Sequence, residues 1–256
     1  MAIEVVALDS NLEEKFWEHV NQDPLEYFFI YDMKLFRKIT EVFLAMEDDK
    51  TKGMMVVFRK SIVQLRGNRK AVEALLDHLD LKKLELVAPK ECKDIVLNKI
   101  KPQKEYEMVV MHLKKGQEKT LKRHEPVRLA REDSEEIASI MRESYPDWWG
   151  DTTGEQIERS IRRFLWLGLK REDRLVSIGN VHFLDIGSNI GVVATDKAYR
   201  NKGYATSIVS ASVEEIFAKY DKALIHVLDT NQPAIHVYEK IGFKSHSSYL
   251  MIKKGK

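Results

Sequence analysis

Residues 193–205 read VATDKAYRNKGYA, and this stretch decides the fold. It reads as a strand that ends, a turn through Arg200, Asn201, Lys202 and Gly203, and a helix from Tyr204 to about Lys219. Successive backbone N–H groups at such a turn, with a helix N-terminus behind them, form a site for an anionic phosphate group. Gly203 lets a ligand come close to the main chain, and Ala205 keeps the first helical turn slim. Taken alone, the stretch also fits a helix N-terminus that contains one glycine and binds nothing.

The neighbouring segments place this turn. Pro126 to Leu129 reads as a strand, and Glu132 to Ser144 has helical spacing through Ile137, Ile140 and Met141. A loop, Tyr145 to Gly150, leads to Thr153, a cap for a helix through Ile161. Strands follow at Phe164–Leu169, Leu175–Leu184 and Ile190–Asp196, and after the glycine turn and its helix a further strand at Ala223–Leu228. Pro233–Ile241 is a helix, with Pro233 in its first turn and Gly242 as its stop, and Phe243–Ile252 is the last strand. The order β-α-α-β-β-β-α-β-α-β predicts a mixed α/β sheet with a parallel pair flanking the central helix.

The spacing Arg200-x-x-Gly203-x-Ala205, followed by Asn231-Gln-Pro-Ala-Ile-His-Val-Tyr238-Glu-Lys-Ile-Gly-Phe243, resembles the GNAT superfamily of acyl-CoA-dependent N-acyltransferases. It is especially similar to the branch containing glycine N-acyltransferase-like enzymes, over roughly 125–256. The resemblance implies acetyl-CoA or another short acyl-CoA as co-substrate, with no metal. It also implies cofactor contacts from Val193, Thr195, Arg200, Asn201, Lys202, Gly203, Tyr204, Ala205, Thr206, Asn231 and Tyr238.

The polar run 114–124, KKGQEKTLKRH, follows the strand-like Tyr106–Leu113, has no hydrophobic periodicity and reads as a linker. It divides the chain into 1–113, a linker at 114–124, and 125–256. The first part carries a faded copy of the plan: a helix at Leu12–Val20, strands at Thr40–Ala45, Gly53–Phe58 and Ser61–Leu65, and a helix at Ala71–Leu79. Leu84–Val87 and Glu105–Leu113 read as strands around a helix within 89–100. Its turn, Gln64-Leu-Arg66-Gly67-Asn-Arg69, puts Arg69 where the signature needs a small residue, and bulk there is expected to block a pyrophosphate. The expected architecture is therefore two GNAT-like domains in tandem, the N-terminal one degenerate and the C-terminal one catalytic.

Acyl transfer to an amine needs a held cofactor, a neutral amine and a proton for the departing thiolate. Tyr238 is the expected proton donor, because a phenol near ~10 stays protonated where a thiol near ~8.5 does not. Asn231 is expected to cap its helix and touch the cofactor. Many GNAT enzymes carry a glutamate where this chain has Asn189, which is no base; His182 leads Asp185 and His226 as the replacement. A water chain, or an amine that arrives neutral, serves equally well. Trp148 and Trp149 read either as an acceptor wall or as a cover for the domain seam. Arg159, Arg162 and Arg163 read as a solvated face or as a carboxylate-recognition cluster.

The chain as a whole narrows the classes. A net charge of +2, from 42 basic and 40 acidic residues, gives no global pull toward nucleic acid or an anionic membrane. The single cysteine, Cys92, excludes an intramolecular disulfide and a cysteine-rich zinc site. The N-terminus has no basic-then-apolar leader and no run is long enough to span a bilayer, so a cytoplasmic protein is expected. The reading is an N-acetyltransferase acting on a primary amine of a small molecule or protein, with a homodimer as the expected assembly. The rival is a CoA-binding regulatory protein that has lost catalysis.

Overall fold

The computed structural model describes residues 3–33, 38–80, 82–184 and 186–255. They form two compact units, one of Met1–Val110, Leu228–Thr230 and Ser247–Lys256, the other of Met111–Val227 and Asn231–His246. In sequence order the chain runs β1 (Glu4–Ala7), α1 (Glu13–Gln22), α2 (Phe28–Met33), β2 (Thr40–Glu47), β3 (Lys50–Phe58), β4 (Ile62–Gly67), α3 (Arg69–Asp77), β5 (Leu84–Pro89), α4 (Lys93–Lys99) and β6 (Lys104–Lys114). It continues with β7 (Val127–Arg128), α5 (Ser134–Ser144), α6 (Pro146–Trp149), α7 (Gly154–Ile161), β8 (Leu165–Arg171), β9 (Arg174–His182), β10 (Ser188–Thr195), α8 (Tyr204–Phe217), β11 (Lys222–Leu228), α9 (Gln232–Ile241) and β12 (Lys244–Lys254). Apart from the single turn of α6, the second series repeats the first element for element.

In the first unit the strands lie in the order β1-β2-β3-β4-β5-β12, antiparallel except for the β4–β5 pair. The strand beside β5 is the C-terminal one, with Tyr249 to Lys254 paired to Pro89 to Leu84. A cut at 113 or 125 separates these last residues from the unit they pack in. Successive side chains along β3 alternate between two buried faces. Leu44, Met54 and Val56 meet Phe16, Val20 and Phe29 of the α1–α2 side. Val63, Leu65 and Leu86 meet Val72, Leu75 and Val96 of α3 and α4.

The second unit has the order β7-β8-β9-β10-β11, with β10 and β11 parallel. Trp166, Leu175 and Ile178 pack on Ile137, Met141 and Ile157 of α5 and α7. Leu167, Leu169 and Val176 pack on Tyr204, Ile208 and Ala211 of α8. This helix is buried nearly all round, as its sequence YATSIVSASVEEIF suggests. Its inner serines return their hydroxyls to the preceding turn, Ser207 to the Gly203 carbonyl at 3.1 Å and Ser212 to that of Ile208 at 2.9 Å. No helix among the described residues is long and apolar enough to cross a membrane.

Candidate functional site

The site begins where two parallel strands part. β10 pairs with β11 only from Ser188 to Ile190, against Ala223 to Ile225. On its other side β10 stays with β9 to Thr195, through a bulge between Ile190 and Val193. Asn180 of β9 fills the bulge, its Oδ1 accepting from the Val192 N–H at 2.7 Å. The edge of Val193, Ala194 and Thr195 thereby turns onto a cleft of about 640 Å³ within the second unit.

The far wall of this cleft is the glycine turn. Asp196 caps a short 3₁₀ turn through the Ala198 N–H at 2.8 Å, and Arg200 Nε donates to the Thr195 carbonyl at 3.2 Å. Asn201 and Gly203 take left-handed backbone, at φ 62° and φ 82°. Asparagine tolerates that region and glycine is at home in it. Gly203 is the N-cap of α8 and supplies no side-chain hydrogen bond to the first turn, which also holds no acidic residue. α3, α7 and α9 are each capped by a side chain, from Asn68, Thr153 and Asn231. The amides at the start of α8 thus remain for another acceptor, at the positive end of a helix of 14 residues. A Cβ on Gly203 would meet only Arg123 Cδ, at 3.7 Å, so φ and not crowding within the protein requires the glycine.

α9 and the end of α5 close the cleft. Asn231 Oδ1 accepts from the Ala234 N–H at 3.3 Å, and its Nδ2 donates to the Tyr145 hydroxyl at 3.3 Å. Tyr238, seven residues on, lines the cleft and is only 6% exposed. Burial first, and then the neighbouring Tyr145, pushes its phenol well above the ordinary value. It therefore holds its proton throughout the neutral range. Tyr145 stands where α5 stops before Pro146, a position that proline keeps out of helical backbone (φ −146°, ψ 73°).

Residues 166–252 match the family model of FR47-like proteins. No curated protein matches the sequence. A Drosophila protein of known structure superposes with TM-score 0.73 at 15% identity, covering 98% of each chain. A GNAT-family acetyltransferase from Colwellia psychrerythraea gives 0.60 at 11%, over 98% of this chain and 100% of its own. A tandem GNAT protein of the clavulanic acid biosynthesis pathway gives 0.59 at 10%, over 99% of each. This is a GNAT fold. The chain is mixed α/β, and two units with the GNAT element order follow one another along it.

The structure gathers the residues singled out in the second GNAT unit. Val193, Thr195, Arg200, Asn201, Gly203, Tyr204, Ala205, Thr206, Asn231 and Tyr238 all line the one cleft. Lys202 is not among them: its ammonium lies 5.0 Å from the Tyr199 ring centre and 3.4 Å from the Ala198 carbonyl. His182 is also off the cleft wall. It pairs in register with Asn189 across β9 and β10, and its ring centre lies 4.5 Å from that of Phe164. His226 Nδ1 sits 3.2 Å from Asn189 Oδ1. Asp185 lies outside the described residues.

Other residues resolve differently from their first reading. Tyr145–Gly150 is not all loop, since Pro146 starts the short helix α6. Trp149 packs on the α5–α7 core. Arg159 and Arg162 make i,i+4 ion pairs with Glu155 and Glu158 at 3.3 and 2.8 Å, a solvated helix face. Sequence reasoning left Ser144, Ala194, Tyr199, Pro233, Ala234 and Val237 out of the cleft lining; the i,i+4 spacing of Ala234 with Tyr238 was the available signal for one of them.

The first unit lacks a comparable turn, for a reason other than Arg69 bulk. Eight residues, 196–203, separate β10 from α8, but only Asn68 separates β4 from α3. The Asn68 side chain accepts from the Ala71 N–H at 3.0 Å and occupies that helix start itself. Arg69 turns away, making a bidentate pair with Asp94 at 2.8 and 2.6 Å. Gly67 is a packing glycine, because a Cβ there would lie 2.5 Å from Gly53 Cα and 2.6 Å from the Lys52 carbonyl oxygen. Arg66 is 2% exposed, pairs with Glu26 at 2.8 Å and lies over the rings of Phe29 and Tyr249 at 4.7 and 4.1 Å.

Proposed function

We propose that the second unit is an acyl-CoA-dependent N-acyltransferase, with acetyl-CoA the first co-substrate to test, and that the first unit is a degenerate, non-catalytic GNAT-like partner. The observation that carries this is the uncapped start of α8, opening at Gly203 onto the cleft that Tyr238 closes. In this reading the amides of residues 200–206 and the Arg200 side chain take the pyrophosphate. The edge of Val193 and Thr195 takes the pantetheine arm. The amine lone pair attacks the thioester carbonyl carbon within a ternary complex, the C–N bond forms and the C–S bond breaks. Tyr238 donates a hydrogen bond or its proton to the sulfur as it leaves, Asn231 holds the start of α9 in place, and the ammonium proton goes to solvent or a base.

Among the described residues, the cleft wall carries the side chains of Tyr145, Tyr199, Arg200, Tyr204 and Tyr238 but no carboxylate and no imidazole. The amine therefore enters neutral, or loses its proton through water toward the row formed by His182, Asn189 and His226. His182 is the first of these to test. The acceptor is a primary amine on a small molecule or a protein, and the protein works in the cytoplasm, as a homodimer, without metal.

Asn189, at the position where many GNAT enzymes carry a glutamate, favours one alternative: a regulatory protein that binds acyl-CoA without turnover. Acetyl-CoA mixed with a panel of amino acids, polyamines and peptides separates the two. Free thiol released in step with one amine supports the enzyme, and binding with no release on any amine supports the sensor.

A further inference from the structure

The segment 121–124 is fastened along α8 by bonds that the acyl transfer does not itself use. The Leu121 N–H donates to Ser210 Oγ at 3.3 Å, and the Arg123 and His124 N–H groups both donate to Ser207 Oγ at 3.1 and 3.2 Å. Lys122 pairs with Glu214 at 2.9 Å. The His124 ring then reaches the glycine turn itself. Its Nε2 lies 3.0 Å from the Lys202 carbonyl oxygen and its Nδ1 lies 2.9 Å from a terminal nitrogen of Arg171. Arg171 Nε donates to the Tyr204 hydroxyl at 2.9 Å, and the His124 and Tyr204 ring centres are 4.5 Å apart.

These partners fix the tautomer. A guanidinium only donates, so Nδ1 must accept, and Nε2 must carry the hydrogen given to the Lys202 carbonyl. The Lys202 carbonyl and the Gly203 N–H belong to one trans peptide and point in opposite directions. Holding the carbonyl toward His124 therefore directs the Gly203 N–H the other way, and Gly203 lines the cleft while Lys202 does not.

We propose that His124 is a positioning residue for the anion-binding turn, orienting the 202–203 peptide through its Nε2–H while Arg171 holds its tautomer. The inference rests on the reading that this turn takes the phosphates of an acyl-CoA. Its test compares full-length wild type, His124→Phe and His124→Gln with two thioesters, acetyl-CoA and S-acetyl-N-acetylcysteamine, which has no phosphate. Phenylalanine keeps the ring against Tyr204 and loses both hydrogen bonds; glutamine can offer an N–H and an oxygen in their place.

His124→Phe should raise the acetyl-CoA KM about threefold to tenfold, with kcat unchanged, the pattern of lost uniform binding. The phosphate-free thioester should show no change in kcat/KM, and His124→Gln should recover most of the loss. An unchanged acetyl-CoA KM, or an equal loss on both thioesters, would overturn the inference. Should His124→Phe not fold, Arg171→Leu removes the partner of Nδ1 and must give the same split. Wild type that neither binds nor turns over acetyl-CoA would overturn the functional reading, and this inference with it; wild-type turnover with no split overturns this inference alone.

Discussion

Alanine at Gly203 separates what the turn costs in folding from what it gives in binding. Gly203 holds φ 82° and ψ 8°, where an L-residue costs about 1 kcal/mol. The new methyl meets nothing nearer than Arg123 Cδ at 3.7 Å, so no clash adds to that strain. The melting temperature should fall by only about 2–4 °C. A phosphate held off one amide loses a hydrogen bond to a charged group, worth about 1.5–3 kcal/mol, so acetyl-CoA affinity should drop roughly tenfold to a hundredfold. Gly67→Ala is the control. Its methyl would sit 2.5 Å from Gly53 Cα at φ 129°, so it should cost more stability while leaving affinity unchanged where the protein is folded. Calorimetric titration and thermal unfolding on the same samples read both quantities. Wild-type affinity in Gly203→Ala would refute the phosphate assignment, and an equal affinity loss in Gly67→Ala would show that general destabilisation is being measured.

Tyr238→Phe should lower turnover by about a hundredfold and leave the acetyl-CoA KM nearly unchanged; full activity would remove its acid role. Because burial raises the Tyr238 phenol, the folded state keeps a proton that the unfolded chain loses above about pH 10. Its contribution to stability is then complete below that pH and declines as pH rises further, and Tyr238→Phe should flatten this decline in unfolding curves taken between pH 8 and 11 (roughly the span of the phenol's titration). Burial, helped by Glu91, pushes the Cys92 thiol up to about 11, so a disulfide reagent at neutral pH should label it only as the protein unfolds. Arg66→Ala should destabilise by about 3 kcal/mol in chemical denaturation, since it takes the buried cation from Glu26 and from its place over the rings of Phe29 and Tyr249. The exposed hairpin turn at Arg59-Lys60 holds φ 51° and 55° without glycine, so Arg59→Asn with Lys60→Gly should raise stability by about 1 kcal/mol.

The second unit was legible because its signals are local. Thr153, Asn231, Pro233 and Gly242 mark helix ends through their own side chains and backbone, and each stands at the boundary it suggests. The glycine turn and Tyr238 come together because strand, turn and helix follow directly in the chain. What stayed hidden depends on partners distant in sequence. β1 is only four residues long and becomes a strand by pairing with β2. The last strand, β12, reaches β5 of the first unit, a pairing no periodicity encodes. Arg69 looked like an obstruction because its spacing was visible and Asp94, its bidentate partner, was not. The stretch 114–124 looked like a plain linker for the same reason: its order comes from serines on α8 and from the Ile241 carbonyl, which accepts from the Lys119 N–H at 2.8 Å. His182 was chosen by its chemistry and its place before the signature, and neither places a side chain on a cleft wall.

The most direct test of the central claim is a calorimetric titration of full-length protein with acetyl-CoA, run beside Gly203→Glu. The account predicts one site per chain in the wild type and none in the variant. No binding in the wild type, two sites per chain, or a site that survives Gly203→Glu would contradict it.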